Sequence, residues 1–233
     1  MYQIDYAITS FFVRHSFHSY VVYRTIEFVA DNDLFKGCFF AVLLWYLWFK
    51  DIPGAKNKRE HLVVTLITTL LVIGIALGVG NAMPLRPRPF LNSSFRFSFS
   101  DANDPYIGNV SSFPSDHAAL FISLAVGFLF ISRKVGWLAI GYTILFVMLP
   151  RLYLGYHYLT DLMGGAVIGA IVSYVANRSK FLLNYTSKSV TPIIDKYPFY
   201  FFPILFLITH QIANLFTEAR EVLSFLRTFH KFL

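Results

Sequence analysis

The chain has 233 residues, of which 56% are hydrophobic and 14% charged, whereas soluble domains carry about 25% charged residues. That balance excludes an ordinary water-soluble domain, and the 14 Tyr and 26 Phe suit a chain whose solvent is largely lipid, since tyrosine rings favour the headgroup boundary. The net charge of +7 does not point to nucleic acid, because the basic residues gather between apolar runs, where anionic lipid headgroups meet them.

In chain order, residues 1–33 read as an interfacial helix. Ile4, Ile8, Phe11 and Phe12 share one face, Arg14, His15 and His18 interrupt any clean span, and Asp31-Asn32-Asp33 stops it. Met1 to Asp5 lacks the basic start of a cleavable leader, so the spans themselves are expected to direct insertion. Residues 34–49 form the first span, with Lys36 snorkelling and a Trp45-Tyr46-Leu47-Trp48 belt at the end. It carries Cys38, whose solitude excludes an intrachain disulfide and a cysteine metal cluster.

A basic loop at 50–61 leads into the charge-free span 62–83, and a long polar segment, 84–116, follows. Two further spans, 118–131 and 135–149, are joined by a hairpin at Ser132-Arg133-Lys134. A fifth, 162–176, carries Gly164, Gly165 and Gly169, which let a neighbouring helix approach closely. Residues 177–197 are polar and basic, 198–216 are a sixth apolar run broken by His210, Gln211 and Asn214, and Val222, Phe225, Leu226, Phe229 and Leu233 mark an amphipathic tail helix. The expected fold is all-α: one polytopic membrane domain of about five or six spanning helices plus interfacial helices, with its core at 62–176.

Three polar clusters sit at the ends of these spans: Arg86-Pro87-Arg88-Pro89-Phe90, Phe113-Pro114-Ser115-Asp116-His117, and Arg151 to Asp161 with Gly155 and His157. They follow the second span, precede the third and join the fourth to the fifth, so all three emerge on one face. The opposite face receives loops 50–61, 133–134 and 177–197, which hold ten of the 20 Lys and Arg within 35 residues, a higher density than on the cluster side. The positive-inside rule gives that face to the cytoplasm and turns the clusters outward.

Taken singly, Arg88 and Arg151 fit snorkelling at a helix end as well as anion binding. Taken alone, Pro114 in a first helical turn, with Ser115 and His117 beside it, reads more readily as an ordinary capped helix than as an anion site at a helix N-terminus. The third cluster is more specific. His157 and Asp161 stand four apart, which on a helix puts them on one face, where a carboxylate fixes the imidazole tautomer and leaves the other nitrogen to attack phosphorus. A metal held by two histidines and two aspartates is the lesser reading, because Arg88 and Arg151 repel a cation and suit an anion. Ser115 lies in no nucleophile-elbow pattern.

In this order the clusters resemble the type-2 phosphatidic acid phosphatases, also called lipid phosphate phosphatases. The family pattern is a lysine, six residues and Arg-Pro; then Pro-Ser-X-His; then Ser-Arg, five residues, His, three residues, Asp. The resemblance covers about 80 residues, from Asn81 to Asp161. It implies that His157 is the nucleophile that becomes phosphorylated, with Asp161 orienting it. It further implies that His117 protonates the leaving oxygen, that Arg88, Arg151 and Ser115 bind the phosphate, and that no metal or other cofactor is needed. The wording of the first two clusters is similar to bacterial undecaprenyl-diphosphate phosphatases of the bacitracin-resistance type, which implies a polyprenyl diphosphate substrate.

Two positions depart from the pattern: the lysine place is Asn81 and the serine before Arg151 is Pro150. Asn81 donates a hydrogen bond without charge, and Arg86 is expected to make up the missing charge. The rival readings are a phosphatase or phosphotransferase for phosphatidylglycerol phosphate, phosphatidic acid or lipid A, and, in another class, a non-catalytic lipid-binding membrane protein.

Overall fold

A computed structural model describes residues 2–16, 19–53, 57–95, 97 and 111–215. The amphipathic tail helix expected at 222–233, the end of the sixth apolar run and the 98–110 part of the polar segment lie outside the described residues. Every regular element among those described is helical.

Helices α1 (Tyr2–Ser16) and α2 (Tyr20–Asp31) replace the single shallow helix expected at the N-terminus, and the second stops at Asp31 as the Asp-Asn-Asp cluster suggests. Both lie across one end of the bundle: Ile8 and Phe12 pack on Leu152 and Leu162, and Tyr23 and Ala30 pack on Leu154. Next come α3 (Leu34–Phe49), α4 (Lys58–Ala82), α5 (Asp116–Leu129), α6 (Arg133–Tyr153) and α7 (Leu159–Arg178), of which α4, α6 and α7 are long and apolar enough to cross a membrane and α3 and α5 are shorter apolar helices. Within α6 the stretch Thr143–Met148 is wound as a π-helix just ahead of Pro150. Proline cannot donate to the helix ladder and its ring crowds the preceding turn, which the looser winding relieves.

Residues 177–197 are largely helical rather than a loop. After α7 the segment 180–196 (α8) runs helically with a π turn at Thr186–Val190 before Pro192, and Leu183, Thr186, Val190 and Ile194 turn inward at helical spacing. The charge count of that stretch hid this apolar stripe. Helix α9 (Pro198–Ala213) runs antiparallel to α3, from Phe201 against Trp48 to Ala213 against Gly37, and Trp45 Nε1 donates to Thr209 Oγ1 at 3.3 Å.

One core joins α3, α4, α5 and α9 through Phe40, Leu44, Leu62, Phe121, Phe128 and Leu205. The outward faces stay apolar: Ile67, Leu71, Trp137, Leu145, Ile171 and Phe206 are all exposed, as a lipid solvent requires. With no water-driven force between helices, contact depends on close backbone approach and internal hydrogen bonds. The α5–α7 seam shows both. Gly165, Gly169 and Ser173 of α7 face Ser115, Ala119 and Ser123 of α5 at every fourth residue, and Ser173 Oγ donates to the Ser123 carbonyl at 2.7 Å. One turn further along α7, Asn177 bonds His61 Nδ1 at 2.9 Å and Thr65 at 3.3 Å, extending the polar seam to α4.

Candidate active site

The short stiff segments that end α4, begin α5 and link α6 to α7 are bonded to one another through their backbones. Ser112 N donates to the Arg86 carbonyl at 2.9 Å, Phe90 N to the Gly155 carbonyl at 3.1 Å, and Ser115 N to the Asp161 carbonyl at 3.1 Å. Gly155 adopts φ +73°, a left-handed turn that a side chain disfavours, and there the chain reverses before α7, as its sequence suggests. The three clusters therefore meet at one end of the bundle.

His157 lies on this link, before α7 rather than on it, so the expectation that it shares a helix face with Asp161 is corrected. The ring is 3% exposed, and its Nδ1 lies 2.8 Å from the Ser112 carbonyl oxygen. A carbonyl only accepts, so Nδ1 carries the proton and Nε2 keeps its lone pair. Asp161 is the third residue of α7, fully buried. Its Oδ2 accepts from Tyr158 N at 2.8 Å and stands 3.8 Å from His157 Nδ1. The tautomer is thus set by a backbone carbonyl, while the carboxylate supplies nearby negative charge. Burial pushes the His157 pKa below its ordinary value, and the Asp161 contact only partly offsets this.

His157 opens onto a cleft that is also lined by Asn81, Arg88, Ser111 and Asp116. Arg88 Nη1 donates to the Tyr156 carbonyl at 3.3 Å, whereas its Nε is buried without a partner. Burial lowers the Arg88 pKa, with Asp116 and then Asp161 opposing the shift. A guanidinium withdrawn from water with an unmet donor is a place for an anion, and its planar fork matches phosphate oxygens.

Ser115 caps α5: its Oγ accepts from Ala118 N at 3.4 Å, and the residue is fully buried. Proline 114 stands just before that cap and not in the first turn. His117, in the first turn of α5, has Nδ1 2.8 Å from Asp116 Oδ1, and it does not itself line the cleft, although its neighbour Asp116 does. Arg151 is 3% exposed, with Nη1 on the Val147 carbonyl at 3.0 Å and Nη2 on the Ala30 carbonyl at 3.3 Å. It is tied to its own helix and to the end of α2, and neither it nor Ser115 lines the cleft where the sequence expected both to bind phosphate.

Arg86 is the clear departure. The structure places it on the other side of Asp161, where Nη1 bonds Asp161 Oδ1 and Nη2 bonds Asp5 Oδ2 at 2.6 Å. Its charge is already shared by two carboxylates, so it does not stand in for the lysine at Asn81. Residue-by-residue reading of the chain also missed Ser112, which acts through its backbone, and Asp5. A lone carboxylate near the apolar face of Ile4, Ile8 and Phe12 was the signal for the latter.

Fold and cleft together define a membrane helix bundle that gathers imidazole and guanidinium groups at one anion-suited site. Residues 61–185 match the PAP2 superfamily, and the chain belongs to it: it is a membrane phosphatase of that class. Among curated proteins, it is 26% identical over 170 residues to the undecaprenyl-diphosphatase BcrC of Bacillus subtilis (strain 168), an alignment covering 72% of this chain and 80% of that one. YbjG of Escherichia coli (strain K12), to which the same activity is provisionally assigned, is 28% identical over 145 residues, covering 62% and 66%. The lipid A 4'-phosphatase of Bacteroides thetaiotaomicron (strain ATCC 29148) is 30% identical over 180 residues, covering 70% and 76%. No solved structure gives a significant match.

Proposed function

We propose that this protein removes the terminal phosphate of a polyprenyl diphosphate, such as undecaprenyl diphosphate, through a phosphohistidine at His157. The observation that carries the reading is the single cleft lined by both His157 and Arg88, the latter with a buried, unmet Nε donor. In the first step His157 Nε2 attacks the terminal phosphorus and the bond to the bridging oxygen breaks. His117 gives that oxygen its proton, and the lipid monophosphate leaves. In the second step water, giving its proton to His117, attacks the phosphorus, the P–N bond breaks, and inorganic phosphate departs. Arg88 neutralises the charge gathered on the equatorial oxygens, the largest service a phosphoryl-transfer site provides.

Arg151 and Ser115 support this from outside the cleft lining, by shaping the start of α5 and adding positive potential. Fixed guanidinium charge does the work a metal does elsewhere, so the reaction is expected to proceed without one. The basic segments 50–61 and 177–197 favour the cytoplasmic side, where they meet anionic lipids, and the cleft then opens at the outer face. The core shared by α3, α4, α5 and α9 supports a single catalytic domain.

The similarity to BcrC favours the polyprenyl diphosphate. The similarity to a lipid A 4'-phosphatase supports a second reading, in which a sugar-linked lipid phosphate is the substrate. Purified protein in detergent, offered undecaprenyl diphosphate, phosphatidic acid, phosphatidylglycerol phosphate and lipid A with chelator present, decides between them. The polyprenyl diphosphate is expected to release phosphate fastest, and His157→Ala is expected to release none. Faster release from lipid A would favour the second reading, and loss of release with chelator would restore a metal to the mechanism.

A further inference from the structure

Asp161 is held from the side away from the cleft by a chain of charges that begins on α1. Its Oδ1 takes Arg86 Nη1, which also donates to Thr160 Oγ1 at 2.9 Å. Arg86 Nη2 donates to Asp5 Oδ2 at 2.6 Å. Asp5 then closes the loop onto the start of α7: Thr160 N donates to its Oδ1 at 3.1 Å, and Thr160 Oγ1 to its Oδ2 at 2.6 Å. The guanidinium plane is clamped over the Tyr158 ring, 4.3 Å from its centre. Asp5 is 2% exposed and Asp161 fully buried.

Two consequences follow from that arrangement. Geometrically, one oxygen of Asp161 is fixed by Arg86 and the other by Tyr158 N, so its carboxylate cannot rotate, and the second oxygen is the one facing His157. Electrically, two carboxylates share one guanidinium, which leaves one net negative charge beside an imidazole that must carry positive charge during phosphoryl transfer. A helix that served only to rest on the membrane has no need of this, because burying a charged triad is costly unless every partner is in place.

We propose that Asp5 and Arg86 are positioning residues that hold Asp161 turned toward His157, which makes the N-terminal helix α1 part of the catalytic unit. The inference rests on the reading of His157 as nucleophile. It assigns Arg86 to the transition state through Asp161, and not to phosphate binding.

The test is steady-state kinetics on undecaprenyl diphosphate with full-length protein in detergent, normalised to the monodisperse folded fraction. The variants are Asp5→Asn, Arg86→Met, Arg86→Lys and His157→Ala. Loss of the partners that orient metal ligands costs about 10–100-fold in activity, and the same scale is taken for this positioning chain. Asp5→Asn and Arg86→Met are therefore expected to lower kcat about tenfold or more with KM within about twofold, and Arg86→Lys is expected to recover part of the loss. If Arg86→Met does not fold, the near-isosteric Asp5→Asn and the charge-keeping Arg86→Lys carry the test. Unchanged kcat in Asp5→Asn, or a raised KM at constant kcat in the Arg86 variants, overturns the proposal. An inactive His157→Ala beside an unimpaired Asp5→Asn sinks this inference alone, whereas a fully active His157→Ala sinks it together with the nucleophile on which it rests.

Discussion

Placing a methyl group at Gly165 tests whether the α5–α7 seam sets the geometry of the site. A Cβ there falls 2.2 Å from the Ser115 carbonyl oxygen, where real contacts essentially never come under 3.0 Å. The obstacle is backbone, so the two helices themselves must part, opening this contact by most of an ångström. Overpacking of this kind costs about 1–3 kcal/mol. The strain falls on Ser115, the cap of α5, whose amide is bonded to the Asp161 carbonyl at 3.1 Å. Displacing catalytic groups by about 1 Å costs roughly 100-fold in rate.

Gly165→Ala is therefore expected to melt earlier in detergent and to lose about 10–100-fold in kcat. At Gly169 a Cβ meets the Ala119 carbonyl at the same 2.2 Å, one turn deeper. Gly169→Ala should lose comparable stability with a smaller loss of turnover. Gly78 provides the control: a Cβ there has nothing within 4 Å, and alanine in a helix interior is favoured over glycine by about 0.5–1 kcal/mol. The measurements are thermal unfolding by fluorescence and phosphate release. Should Gly165→Ala match Gly78→Ala in both, the close seam is not what positions the site.

Three further outcomes are expected. Arg88→Ala removes the cleft's guanidinium and should lower kcat/KM by at least about 100-fold, as for loss of other transition-state anion donors; Arg88→Lys, lacking the fork, should recover only part, and a near-normal Arg88→Ala in the release assay would contradict the assignment. Asn81→Lys adds a cation to the lining of the same cleft and should raise affinity for inorganic phosphate as a product inhibitor, an effect that weakens with salt; unchanged inhibition at low salt would mean that Asn81 does not face the bound anion. The His157 pKa lies below its ordinary value, so the folded protein binds fewer protons than the unfolded chain between the folded pKa and about 6.5. Its contribution to stability is then complete above about 6.5 and declines as pH falls toward the folded pKa, and His157→Gln should flatten the fall in melting temperature over that window; an identical pH slope in the variant would contradict it.

The span pattern of this fold was legible in the chain because lipid imposes long charge-free runs, and 62–83 and 162–176 fall close to the observed α4 and α7. Gly165 and Gly169 announced the close seam by being small at four-residue spacing. The helical 180–196 segment escaped notice because its inward stripe is only Leu183, Thr186, Val190 and Ile194 amid lysines. Within the site, residue order and motif grouped Asn81, Arg86, Arg88, Ser115, His117, Arg151, His157 and Asp161 into one region. The finer arrangement did not follow from spacing. His157 sits off the helix because Tyr158 caps it, its tautomer is fixed by the backbone of Ser112, and Arg86, two residues from Arg88, faces the opposite side of Asp161. A backbone carbonyl leaves no trace in a side-chain pattern, and a partner such as Asp5, more than 80 residues distant from Arg86, shows only once the chain is folded.

The central claim is that His157 carries the phosphoryl group. Purified protein mixed with undecaprenyl diphosphate labelled in its terminal phosphate, and quenched in alkali within a turnover, should hold acid-labile, alkali-stable label on the peptide containing His157, with none in His157→Ala. Turnover by the wild-type protein with no label trapped on that peptide across quench times, together with sustained phosphate release by His157→Ala, would contradict it.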